Sequence, residues 1–228
     1  MSVKQKQEIF LPRRGSLVST VKSPSPRVVR STVADTWHWL GPDLWMRIIP
    51  LTVIPLLYIA FFHLPLSFLG LTFNNVPYQV FIGLLIGIVM AAFAIIYRMY
   101  IVGPWFRWPT FSDHLFQGFF YLVINGPVEE LFFRGFLLAA VTQWTGWIGW
   151  GVLLSIATYT LYHRLGKWSW RSVSGVGLAG IVFTLVYLLQ PTPRSLLAVV
   201  IIHGLTTCGF LSWGDEALYR RWKRRQGK

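Results

Sequence analysis

From Trp45 to Ser212 the chain is built of apolar runs separated by short turns, most of them near the ~20 residues that cross about 30 Å of hydrocarbon. In such a solvent a run can satisfy its own backbone N–H and C=O groups only as a helix. The expected fold is therefore all-α, a polytopic transmembrane helix bundle. Composition agrees, with 54% hydrophobic residues, 17% aromatics and eight acidic residues in 228, unlike a soluble domain.

The formal net charge is +13. The basic residues cluster in two tails, Lys4 to Arg30 and Arg220 to Lys228, and in particular short loops, with no single basic face. That distribution points to membrane lipids as partners and away from nucleic acid. The single cysteine, Cys208, excludes an intrachain disulfide framework and a cysteine zinc site. Residues 1–35 read as a basic cytoplasmic tail, 36–213 as the membrane domain and 214–228 as a second basic cytoplasmic tail.

Full spans are expected at about Trp45–Leu64, Tyr78–Tyr97, Pro127–Gln143, Trp147–Tyr162, Val173–Gln190 and Ser195–Ser212. Gly83 and Gly87 offer a close-packing face in the second. Leu115–Asn125 is apolar but too short to cross, and Gly126-Pro127 is expected to break its helix, giving a half-inserted or interfacial segment. With about six full spans, nearly all loop Lys and Arg fall on one side, which predicts an integral membrane protein with both termini cytoplasmic. No internal repeat marks two transporter-like halves.

Ionised groups inside this apolar sequence need a reason. Glu129, Glu130 and Arg134 lie in Pro127-Val128-Glu129-Glu130-Leu131-Phe132-Phe133-Arg134-Gly135, and an intramembrane acid is by default a functional-site hypothesis. Glu130 and Arg134 are spaced to pair on one helix face. Glu129 has no basic neighbour at helical spacing. It lies roughly 17 residues before the turn at Thr145-Gly146, and His163 roughly 17 after it, so antiparallel helices bring both to similar depth. Tyr159 precedes His163 by one turn, while His203 lies midway along the last span with Thr207 one turn later. Glu129, His163 and His203 can thus converge from three helices. Such a set either holds a divalent metal such as zinc, or works without one, the glutamate activating water while the histidines polarise a carbonyl. His38 and His114 read as solvent or interface residues.

These residues resemble the CPBP family of intramembrane proteases, the type II CAAX prenyl endopeptidases and bacteriocin-processing proteins, over roughly residues 112–213. Glu129, Glu130 and Arg134 match its Glu-Glu-x-x-x-Arg motif in full. Tyr159 to His163 corresponds to Phe-x-x-x-His with Tyr for Phe. His203 to Thr207 corresponds to a His followed four residues later by Asn or Asp, with Thr instead. The resemblance implies an endopeptidase acting on a membrane-associated substrate, prenylated in some members. Glu129 would activate water, His163 and His203 would hold water or metal and stabilise the oxyanion, and Glu130 and Arg134 would support them. Thr207 is shorter than an amide yet keeps one donor. Two other readings stand beside this one: a non-catalytic subunit or assembly factor of a larger membrane complex with the same fold, and a transporter or channel.

Overall fold

The computed structural model describes residues 41–103, 110–166 and 168–226. The N-terminal tail, His38 and most of the loop around Trp105 lie outside them. Among the described residues every regular element is helical. Four helices are long and apolar enough to cross a membrane: α1 (Gly41–Phe61), α2 (Val76–Val102), α5 (Trp170–Leu188) and α6 (Leu197–Gln226). Between α2 and α5 lie α3, spanning 111–145, and α4 (Ile148–Leu165). Large apolar side chains on the bundle's outside, such as Leu57, Phe61, Phe81, Leu85 and Ile88, are exposed. That is the surface lipid tails cover, and in water it would be a severe liability.

The expected break at Gly126-Pro127 is absent. Gly126 is helical (φ −56°, ψ −54°), and α3 continues through Pro127 without a gap. The segment before Gly126 is thus not a separate half-helix but the first part of α3, about 50 Å long at 1.5 Å per residue. Two π-helical stretches, Phe120–Asn125 and Leu131–Leu137, flank the α-helical Gly126–Glu130. Proline removes one backbone donor, and local π adjustments re-satisfy the carbonyls it frees.

Turn chemistry returns the chain after α3. Gly146 takes the left-handed conformation (φ +71°) and donates its N–H to Thr142 O, a conformation a Cβ would oppose. Before α5, the Ser169 side chain accepts from Ser172 N and caps the helix. Gly83 and Gly87 on α2 face α6, where an added Cβ would stand 3.0 Å from Ile201 Cβ and 2.6 Å from Leu205 Cδ1 respectively. The last apolar span does not end at Ser212, because α6 runs on through the charged residues 214–226. Arg98 of α2 pairs there with Asp215 at 3.0 Å.

Candidate active site

α3, α4 and α6 each contribute one polar group to a common point. Glu129 Oε2 lies 3.6 Å from His203 Nε2 and 3.9 Å from His163 Nε2. Glu129 is 1% exposed and His203 2% exposed. His163, at the C-terminal end of α4, is part-buried.

Hydrogen bonds fix which imidazole nitrogen faces the carboxylate. His163 Nδ1 stands 2.8 Å from Tyr159 O. A carbonyl can only accept, so Nδ1 carries a proton, and in the neutral ring Nε2 then keeps its lone pair. His203 Nδ1 is 2.6 Å from Glu130 Oε1, and Glu130 also accepts from Arg134 Nη1 at 3.0 Å. Glu130 Oε1 already accepts from Arg134, and with His203 Nδ1 donating to it as well, His203 presents Nε2 to Glu129. Among the described residues, Glu129 Oε2 has no hydrogen-bond partner.

Glu130 and Arg134 are fully buried. Taking such charges from water is costly unless each is paired and hydrogen-bonded. The Arg134 guanidinium meets Glu130, donates to Gly180 O at 3.2 Å, and lies over the Tyr159 ring with Cζ 4.1 Å from its centroid. Phe183 stacks on His203 at 5.1 Å between centroids. Each imidazole is therefore locked at one nitrogen by a hydrogen bond and against an aromatic ring.

Sequence reasoning missed the group nearest Glu129. Arg47 of α1 donates Nη1 to Glu129 Oε1, and its own Nε donates to Asp43 Oδ1 at 2.7 Å. A signal was available, since Arg47 is a charge at the start of an apolar span with an acid four residues earlier. Trp168, in the basic loop after α4, also went unnoticed. It stacks on Phe210 of α6, its ring 5.3 Å from that of His163.

These residues line a cavity of about 590 Å³, which Asn125, Tyr162 and Thr207 also line. Its walls are mainly apolar and aromatic, with polar groups converging at Glu129, the usual character of a pocket that orients a ligand by few contacts. Thr207 is half-buried there. His114 is remote from this point, paired with Ser212 and Glu216.

A metal does not fit these side chains well. No group of three or more His, Cys, Asp or Glu residues with the arrangement of a metal site occurs among the described residues. The Arg47 guanidinium already occupies the other oxygen of Glu129, placing a fixed positive charge where a dication would be repelled. The chemistry available is that of a buried carboxylate with one oxygen held by a cation and the other open towards two imidazoles.

Residues 111–209 match the family model of the Rce1-like type II CAAX prenyl endopeptidases. The match bears out the resemblance carried by the three motifs and contains Glu129, Glu130, Arg134, Tyr159, His163, His203 and Thr207. Asp43 and Arg47 lie outside the Rce1-like segment. No curated protein and no solved structure matches the chain.

Proposed function

We propose that this protein is an intramembrane endopeptidase of the CAAX-protease type, hydrolysing a peptide bond of a membrane-associated substrate with water activated by Glu129. The observation that carries the reading is the open Glu129 Oε2, buried yet unpartnered among the described residues, facing the Nε2 atoms of His163 and His203. A water at that point can donate one proton to Glu129 and the other to an imidazole Nε2, leaving an oxygen lone pair for attack.

Glu129 takes the water proton as the oxygen bonds to the carbonyl carbon and the carbonyl π pair moves onto oxygen. When the tetrahedral adduct collapses, the C–N bond breaks and Glu129 returns the proton to the leaving nitrogen. Arg47 holds Oε1 and thereby directs Oε2 at the water. The aromatic walls suit an apolar substrate segment, and the charge bias supports a site open towards the cytoplasmic side.

Purified protein in vesicles should cleave a membrane-anchored peptide, prenylated or acylated, and Glu129→Gln should abolish cleavage. Equal cleavage by the variant refutes the assignment. The ion pair between Arg47 and Glu129 favours a second reading, in which the fold is kept as a non-catalytic subunit and the glutamate simply anchors α1. Under that reading no substrate is cut, and Glu129→Gln releases α1 from the bundle, read as new proteolytic sensitivity near residue 47.

A further inference from the structure

Peptide hydrolysis needs a hydrogen-bond donor where negative charge develops on the carbonyl oxygen, and the charged residues of this site have few donors to spare. The Nδ1–H groups of His163 and His203 are spent on Tyr159 O and Glu130. In the neutral rings their Nε2 atoms are acceptors. Arg47 is engaged by Glu129 and Asp43, and Arg134, bound to Glu130 and Gly180 with its Nε unpartnered among the described residues, does not line the cavity. Among the neutral residues lining the cavity, Thr206 donates its hydroxyl to Ile202 O at 2.6 Å.

Asn125 remains. It lines the same cavity, is 4% exposed, and its Oδ1 has no hydrogen-bond partner among the described residues. That unpartnered Oδ1 is an acceptor that a substrate N–H can satisfy, which leaves the Nδ2 donors of the same amide for a carbonyl oxygen. Its level is set by how α3 and α6 pack. A Cβ on Gly204 would lie 2.9 Å from Leu122 Cα, and one on Gly126 would lie 3.4 Å from Val200 O. Later residues of α3 therefore meet earlier residues of α6, and the helices are antiparallel. One turn back from Glu129 along α3 is Asn125, and one turn on from His203 along α6 is Thr207. Both line the cavity that Glu129 and His203 line.

We infer that the Asn125 side-chain amide is a catalytic residue that donates to the carbonyl oxygen of the scissile bond as it becomes an oxyanion. The inference rests on the proposed hydrolysis. Thr207, which lines the same cavity, takes the second, weaker donor position.

Wild type, Glu129→Gln, Asn125→Ala, Asn125→Asp and Asn125→Ala with Thr207→Asn are compared on one membrane-anchored peptide, with thermal unfolding in detergent as the check on folding. Asn125→Ala and the nearly isosteric Asn125→Asp should each lower kcat by roughly 100-fold or more at little change in KM. Thr207→Asn should recover at least tenfold of that loss by returning an amide to the cavity. A kcat for Asn125→Asp within about threefold of wild type overturns the inference while leaving Glu129-dependent hydrolysis standing. So does a loss confined to KM, or a loss that Thr207→Asn leaves unrecovered. Absence of Glu129-dependent cleavage in wild type overturns the proposed hydrolysis, and this assignment with it.

Discussion

Arg47 of α1 closes on Glu129 of α3 across a sequence separation of 82 residues. This contact joins the first span to the Rce1-like segment at the point where chemistry is proposed. Asp43 holds the guanidinium from one turn away, so Arg47 is anchored before it meets Glu129.

Removing Arg47 would leave Glu129 buried without its cationic partner. Breaking a buried pair on one side costs about 3–5 kcal/mol. Arg47→Leu should therefore lower the unfolding temperature and abolish cleavage, because Oε1 is no longer held. Arg47→Lys keeps the charge but loses the planar fork that serves Asp43 and Glu129 together, and should keep most stability with a slower rate. Thermal unfolding in detergent and a peptide-cleavage assay on the same samples separate the two effects. A fully active Arg47→Leu would show that Glu129 needs no such clamp.

The buried Glu130–Arg134 pair supports the site through His203. Arg134→Met should destabilise by about 3–5 kcal/mol, since Glu130 would be left buried without its cationic partner. Adding Glu130→Gln removes the stranded charge, so the double variant should recover part of that loss. His203 would then share its Nδ1 proton with an amide oxygen instead of a carboxylate, and activity should stay low. Unfolding measurements on the two single variants and the double one give the coupling energy. Strict additivity would contradict the shared burial.

Tyr159 offers a finer test. What His163 uses is the Tyr159 main-chain carbonyl, and what Arg134 uses is the ring face. Tyr159→Phe keeps both, and should remain within a few-fold of wild type in cleavage. Tyr159→Ala removes the ring packed against Arg134, Phe133 and His163 and should cost about 3–5 kcal/mol. Equal loss in both variants would mean that the hydroxyl itself matters.

Much of this arrangement was legible in sequence because helices impose periodicity. Equal spacing about the Thr145-Gly146 turn brings Glu129 and His163 together, and the four-residue spacing of Glu130 and Arg134 makes their pair local. Arg47 was not legible as a partner of Glu129, since the contact depends on how α1 packs across the bundle and no spacing rule reaches that far. Pro127 misled for a different reason. Its missing N–H predicts a break, but π-helical turns on both sides absorb it, and those turns depend on the packing of neighbouring helices that a local rule does not see.

The position of His203 also depends on how closely α6 approaches α2. Gly209 of α6 has no room for a side chain, as an added Cβ would lie 2.6 Å from Ala91 O and 2.8 Å from Ala91 Cα. These are backbone atoms, which cannot rotate aside, so Gly209→Ala must move the helices apart. A cost of about 1–3 kcal/mol is expected from such overpacking. The shift passes along α6 to Thr207 and His203, less than two turns away, so cleavage should fall more than stability alone explains. Gly118→Ala is the matched control: it lies in α3 with nothing within 4 Å of an added Cβ, and alanine is the better helix former. It should leave cleavage unchanged and stability equal or slightly higher. If Gly209→Ala retained both wild-type rate and wild-type unfolding temperature, the close contact between α2 and α6 would not be what holds His203 opposite Glu129.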